Sequence, residues 1–138
     1  MPAAVGRLKR RAEFLRVAGA KRRFTTPGLV LQMRPWGSDA LEGDEQVQHN
    51  LRLGFTVSKK VGNAVERNRA RRRLRAAAAD VMGHCAEPRR DYVIIGRRAA
   101  LSRPYPALVQ DLKTALRRLR ACRADAGGEA GPAPRHQP

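Results

Sequence analysis

The sequence predicts a small α/β protein, an α+β two-layer sandwich in the order helix, strand, strand, helix, strand, helix. Three observations predict it. Leu51 to Ser58 alternates Leu51, Leu53, Phe55 and Val57 against Arg52, Gly54, Thr56 and Ser58, the period of a half-buried strand. Asp91 to Arg97, DYVIIGR, has the unbroken apolar centre of a strand covered on both faces. Between them lies a segment with helical spacing. At ~100° per residue, Ala70, Leu74, Ala77, Ala78 and Val81 share one arc, and their small side chains let a helix sit close to a sheet. A chain of 138 residues suits one domain with one core, expected over residues 1–120.

Taken in order, residues 1–6 read as a loose terminus. Leu8, Ala12, Leu15 and Val17 fall near helical spacing with Phe14 beside them, so a basic helix is expected from Arg10 to Ala18, stopped at Gly19. Lys21 to Thr26 reads as a basic loop. Gly28 to Arg34, GLVLQMR, is bounded by Pro27 and Pro35 and reads as a strand. The connection after it is long and polar. Residues 37–49 carry the acids Asp39, Glu42, Asp44 and Glu45, the one negative patch on the chain. Asn63 is placed to cap the central helix, expected to run to about Val81, with Gly83 and Pro88 in the following loop. Ser102 is placed to cap a last helix reaching Arg120, whose stripe is Leu108, Val109, Leu112, Ala115, Leu116 and Leu119. Residues 121–138, rich in Gly, Pro and Ala, read as a disordered tail.

Charge narrows the function. The formal net charge is +17 and the sequence pI about 11.6, an imbalance that calls for a polyanionic partner. The density peaks between Lys59 and Arg75, where Lys59, Lys60, Arg67, Arg69, Arg71, Arg72, Arg73 and Arg75 face a single acid, Glu66. Asn68, Arg71, Arg72 and Arg75 stand at i, i+3, i+4 and i+7 and form one stripe, where like charges repel unless phosphates intervene. The turn Lys59 to Asn63 leads into a helix N-terminus, whose N–H groups attract anions, although it lacks the glycine pattern of a nucleotide loop. A membrane surface fits less well, because this helix has no broad face of large apolar residues. No apolar run reaches signal-peptide or membrane-span length, so a cytoplasmic protein with both Cys85 and Cys122 reduced is expected.

Catalytic groups do not assemble. His49, His84 and His136 are scattered, His84-Cys85 has no second pair at zinc spacing, and the acids do not converge as metal-dependent nucleases require. Of the aromatics, Phe14 and Phe24 are placed to stack unpaired bases or to pack in the core, whereas Phe55 and Tyr92 read as core.

The run LRLGFTVSKKVGNAVERNRARRRLR closely resembles the signature of the protein component of bacterial ribonuclease P. Ser58-Lys59-Lys60, Gly62-Asn63-Ala64-Val65 and Arg67-Asn68-Arg69 fit its turn and helix. Arg7-Leu8-Lys9 with Phe14, and DYVIIGR, are similar to the family's first helix and third core strand, so the resemblance covers about residues 7 to 120. It implies a left-handed strand-helix-strand crossover, against the usual rule. It implies a catalytic RNA partner that cuts the 5′ leader from precursor tRNA with Mg²⁺ held mainly by RNA, and a polypeptide that holds no metal and breaks no bond. It implies that Lys59, Lys60, Arg67, Asn68, Arg69 and Arg72 face the RNA, to which the helix start and the stripe add Asn63, Arg71 and Arg75, and it matches Phe14 to the leader cleft, where Arg10 and Arg52 are also expected. Ala18 and Gln32 depart from the pattern, standing where some relatives carry Phe and Tyr. The competing readings are a ribosomal-type RNA-binding protein, a DNA-binding regulator and a protein-only enzyme. The DNA reading suffers because a helix of Arg and Ala suits phosphates rather than base edges.

Overall fold

The computed structural model describes residues 4–36 and 50–122. The elements are β1 (Val5–Arg7), α1 (Arg11–Gly19), β2 (Arg23–Thr25), β3 (Leu29–Pro35), β4 (Leu51–Thr56), α2 (Ala64–Cys85), β5 (Arg90–Gly96), a 3-10 turn (Arg98–Leu101) and α3 (Tyr105–Arg118). The strands form one sheet in the order β1-β4-β5-β3-β2. β4 runs parallel to β1 and β5, while β3 runs antiparallel to β5 and β2.

The α/β class and the three long strands are as the sequence predicts. Two short strands are additional. Val5–Arg7, its first two residues expected to be loose, pairs with Leu51–Leu53, and Arg23–Thr25, expected to be loop, pairs with Val30–Gln32. Three residues are too few to show a period of two. They are strands because the outer edges of β4 and β3 need backbone partners.

Strand alternation divides the side chains between two faces. Leu29, Leu31, Met33, Leu51, Leu53, Tyr92 and Ile94 pack against Ala70, Leu74, Ala77 and Val81 of α2 and Leu108, Leu112 and Leu116 of α3. On the other face a smaller cluster of Leu8, Val17 and Val93, flanked by Phe14 and Ile95, lies under α1. Thus α1 adds a partial third layer to the predicted sandwich. Gly54 makes its approach possible, because a Cβ there would lie 2.6 Å from ring carbons of Phe14.

Helix ends differ from expectation for identifiable reasons. α2 continues through Gly83 to Cys85, because Val81, Met82 and Ala86 are buried and packing outweighs the ~1 kcal/mol penalty of a helical glycine. α3 begins at Tyr105 rather than beyond Ser102. Pro104 disfavours helical geometry at Arg103, which instead pairs with Asp111 at 2.7 Å. α3 ends at Arg118, with Arg120 in the left-handed region at φ 58°. Ala121 and Cys122, expected in the tail, belong to the fold: Ala121 is buried and Cys122 bridges Ala86. The acidic segment 37–49 and residues 123–138 lie outside the described residues.

Arg52 corrects the sequence reading most sharply. Its alternation with Leu51 and Leu53 suggested a solvent-facing side chain available to a leader, but it is 3% exposed. Nε and Nη2 donate to the two oxygens of Asp91 at 3.0 and 2.8 Å, and Nη1 donates to Glu13 Oε2 at 2.9 Å. The Trp36 indole N–H donates to Asp91 Oδ1 at 2.8 Å. Glu13 Oε1 in turn accepts the N–H groups of Lys9 and Arg10, capping α1. The face is closed by α1, so Arg52 is a structural tie and not a surface contact.

Burial pushes the Glu13 carboxyl up, but the N–H donors of Arg10 and Lys9 and the Arg52 guanidinium outweigh it, so the group titrates below its usual 4.5. A pKa lowered on folding contributes stability above the unfolded value and loses it as pH falls through the folded one. Urea denaturation between about pH 7 and pH 3 is therefore expected to show stability falling on the acid side of 4.5, with a shallower fall in Glu13→Gln.

Candidate nucleic-acid interface

The candidate interface lies on α2, 22 residues long, and on the turn that precedes it. The arc of small apolar residues faces the sheet: Ala70, Leu74 and Ala77 are fully buried. The cations are thereby driven to the remaining circumference. Asn63 caps the helix, its Oδ1 accepting the Glu66 N–H while Glu66 Oε1 accepts the Asn63 N–H, both at 2.9 Å. Gly62 has φ 155°, and a side chain there would run into the Glu66 carboxylate. Gly62, Asn63 and Glu66 therefore form one joint that fixes where the helix starts.

This capping box changes part of the sequence reading. Two N–H groups expected to attract phosphate are occupied by side chains, and the Asn63 amide oxygen is committed to the cap. The anion attraction of the helix start rests on its dipole and on the exposed Lys59 and Lys60. Val65, 76% exposed, sets an apolar side chain among them.

The remaining candidates divide by what holds them. Asn68, Arg69, Arg72 and Arg75 are exposed, and Arg67 and Arg71 are half-buried. Arg67 Nη1 donates to Gly62 O at 3.0 Å, tying the helix back to its turn. Arg71 Nη1 donates to Asn68 Oδ1 at 2.9 Å, which orients the guanidinium along the predicted stripe. Arg75 leans over the Phe55 ring, 5.7 Å from its centroid. Arg73 leaves the surface group, since its guanidinium donates to the carbonyls of Ala100 and Arg103 and docks α2 on the 3-10 turn.

One cation was missed. Arg98 Nη1 donates to Val61 O at 2.9 Å, bringing a guanidinium to the Lys59–Asn63 turn. The signal was available: if β4 and β5 run parallel, residues just after each strand lie side by side. Phe14 and Arg10 are on α1, across the sheet from α2. Phe14 is half-buried against Gly54, and Arg10 is exposed. Gln32 is 8% exposed and pairs in register with Val93 of the same cluster, and Ala18 is exposed. Phe24, the second stacking candidate, packs on the α2–α3 side of the sheet beneath Arg118, 5.3 Å from its ring centroid. Among the described residues no three His, Cys, Asp or Glu side chains gather as a metal site. Cys85 and Cys122 are half-buried. No helix among the described residues is long and apolar enough to cross a membrane.

Fold and surface together define a small α/β protein with a rigid cationic helix. A family model described as Ribonuclease P matches residues 3–120. The ribonuclease P protein component of Paramagnetospirillum magneticum is 52% identical over 130 residues, covering 94% of both chains. That of Gluconacetobacter diazotrophicus is 49% identical over 112 residues, covering 81% of this chain and 89% of its own. Among solved structures, the Staphylococcus aureus RNase P protein superposes with a TM-score of 0.65 at 26% identity, covering 85% of this chain and 97% of that one. The Thermotoga maritima RNase P protein gives a TM-score of 0.63 at 24% identity, covering 81% and 96%, a likeness of fold. The chain belongs to the ribonuclease P protein family, whose members are subunits of an endoribonuclease.

If the Asn63 joint fixes the helix start, Asn63→Ala should cost about 1 kcal/mol of stability in urea denaturation, and Asn63→Ser, which keeps a capping oxygen, a smaller amount.

Proposed function

We propose that the chain is the protein subunit of ribonuclease P, binding the catalytic RNA through α2 and its turn and assisting removal of the 5′ leader from precursor tRNA. The observation that carries the reading is the rigid set of exposed cations Lys59, Lys60, Arg69, Arg72 and Arg75, joined by Arg67, Arg71 and Asn68, on a chain whose relatives are named ribonuclease P protein components. Bidentate guanidinium contacts to phosphates relieve the repulsion that this crowding creates. A near-absence of varied base-reading side chains suits recognition of an RNA backbone by shape and charge.

The leader is assigned to the opposite face, where Phe14 and Arg10 stand at the edge of the α1 layer. Arg52 is withdrawn from this assignment, since it is buried against Asp91 and Glu13. With Ala18 and Gln32 in place of aromatics, Phe14 is the stacking surface on this face, and the leader is held with few ring contacts. Mg²⁺ belongs to the RNA in this reading, and the protein acts by positioning RNA segments and lowering their mutual repulsion. A cytoplasmic location goes with the same assignment.

Reconstitution tests the assignment. The matched RNA subunit should cleave a tRNA precursor faster at low Mg²⁺ when protein is added, and the protein alone should leave the substrate intact. No stimulation would favour a structural RNA-binding role, and Mg²⁺-dependent cleavage by RNA-free protein would overturn the proposal. In salt-titrated binding to the RNA subunit, replacing both Arg69 and Arg72 with Ala should reduce the slope of log affinity against log salt by about two, one per lost phosphate contact.

A further inference from the structure

A groove of about 610 Å³ opens between β1, β4 and the C-terminal half of α2, on the sheet face opposite α1. Its apolar surface comes from Leu53, the half-buried ring of Phe55 and Ala78, walled by Ala79 and Gly83 on the helix and by Val5 and Gly6 on the strand. The groove exists because α2 carries four alanines in succession, Ala76 to Ala79, where it passes the short edge strand. Larger side chains at these positions would fill it.

Three basic residues, Arg7, Arg75 and His84, share this lining, and among the described residues no carboxylate does. The edge strand adds hydrogen-bonding groups. The Leu51 N–H donates to Ala4 O and the Leu8 N–H to Leu53 O, so alternate residues of the strand face β4. The backbone groups of Val5 and Arg7 therefore point away from β4, at the outer lip of the groove. Arg75 connects this site to the RNA-facing stripe, standing at the end of Asn68-Arg71-Arg72-Arg75 with its guanidinium over Phe55.

We infer that this groove receives one unpaired nucleotide of the RNA partner, its base stacked on the Arg75 guanidinium that overlies Phe55 and its phosphate held by Arg7. The inference rests on the reading that the chain binds RNA. Planar aromatic and guanidinium surfaces stack any base, and the cations of the lining match the phosphate. The volume lies within the ~300–1,000 Å³ usual for small-ligand sites. An apolar peptide would leave Arg7 and Arg75 without a charged partner. The groove is also separated by the sheet from Phe14, so the two sites can be filled together.

Backbone amide NMR with adenosine 5′-monophosphate and, separately, inorganic phosphate tests the inference on the full chain. The mononucleotide is expected to shift the Gly6, Phe55, Ala79 and Gly83 signals, and phosphate alone to leave them in place. Ala79→Leu, at an exposed helix position, should abolish these shifts with the thermal midpoint unchanged, while Ala79→Ser should keep them. Ala79→Leu should also weaken binding to the matched catalytic RNA about tenfold, the loss of one stacked base, with the salt slope preserved. Groove signals that do not move with the mononucleotide, or that move equally in Ala79→Leu, overturn the nucleotide site. Failure of the RNA reading itself appears separately, as RNA affinity indifferent to the loss of Arg69 and Arg72.

Discussion

The fold depends on a single buried cation. Arg52 holds Asp91 with two hydrogen bonds and Glu13 with a third, and through them joins β4, β5 and α1, while Trp36 extends the contact to the end of β3. A buried ion pair is a weak source of net stability, but removing one partner typically costs about 3–5 kcal/mol because the other charge is stranded. Here the two carboxylates also offset the repulsion that a guanidinium meets inside a chain at +17. Glu13 caps its own helix with one oxygen and binds Arg52 with the other, so the position of α1 on the sheet and the start of α1 are set by the same group.

The arginines of α2 show how one residue type is divided between holding and presenting. Arg73 reaches the 3-10 turn and Arg67 the turn before the helix, and both fix the helix relative to its neighbours. Arg69 and Arg72 remain outward, and Arg71 is steered by Asn68. Because the inward arc is mostly alanine, the helix lies close to the sheet with little freedom to roll. The geometry of the cations is thus inherited from the core. That is how a surface with so much mutual repulsion keeps a defined shape before any polyanion arrives.

Much of this was legible in the sequence. The period of two in Leu51–Val57, the apolar centre of Asp91–Arg97 and the alanine arc of α2 each reflect burial on a defined face, which leaves a pattern in the residues concerned. The Asn63 cap was legible for the same local reason. What escaped depends on contacts distant in the chain. β1 and β2 are strands only because β4 and β3 offer them an edge. Arg52 looked exposed because its strand alternates, and only α1, some forty residues earlier, closes that face. Arg73 and Arg98 looked like further surface charge, and their carbonyl partners lie 27 and 37 residues away. The scarcity of acids was an unused clue: in so basic a chain, Glu13 and Asp91 on apolar segments needed a buried cation.

The strand order has a consequence for how the chain comes into being. β5 sits at the centre of the sheet, yet among the described strands it is the last to be synthesised. Until Arg90–Gly96 emerges from the ribosome, the chain can form only two separate strand pairs, β1 with β4 and β2 with β3, and isolated pairs are marginal in water. Arg52 likewise waits for Asp91. Assembly is therefore a late and concerted event, and the arginine-rich segment leaves the exit tunnel before it has a sheet to lie on. For that interval an unfolded polycation is in the company of ribosomal RNA, and completion of β5 is the step that turns a sticky ribbon into a shaped surface.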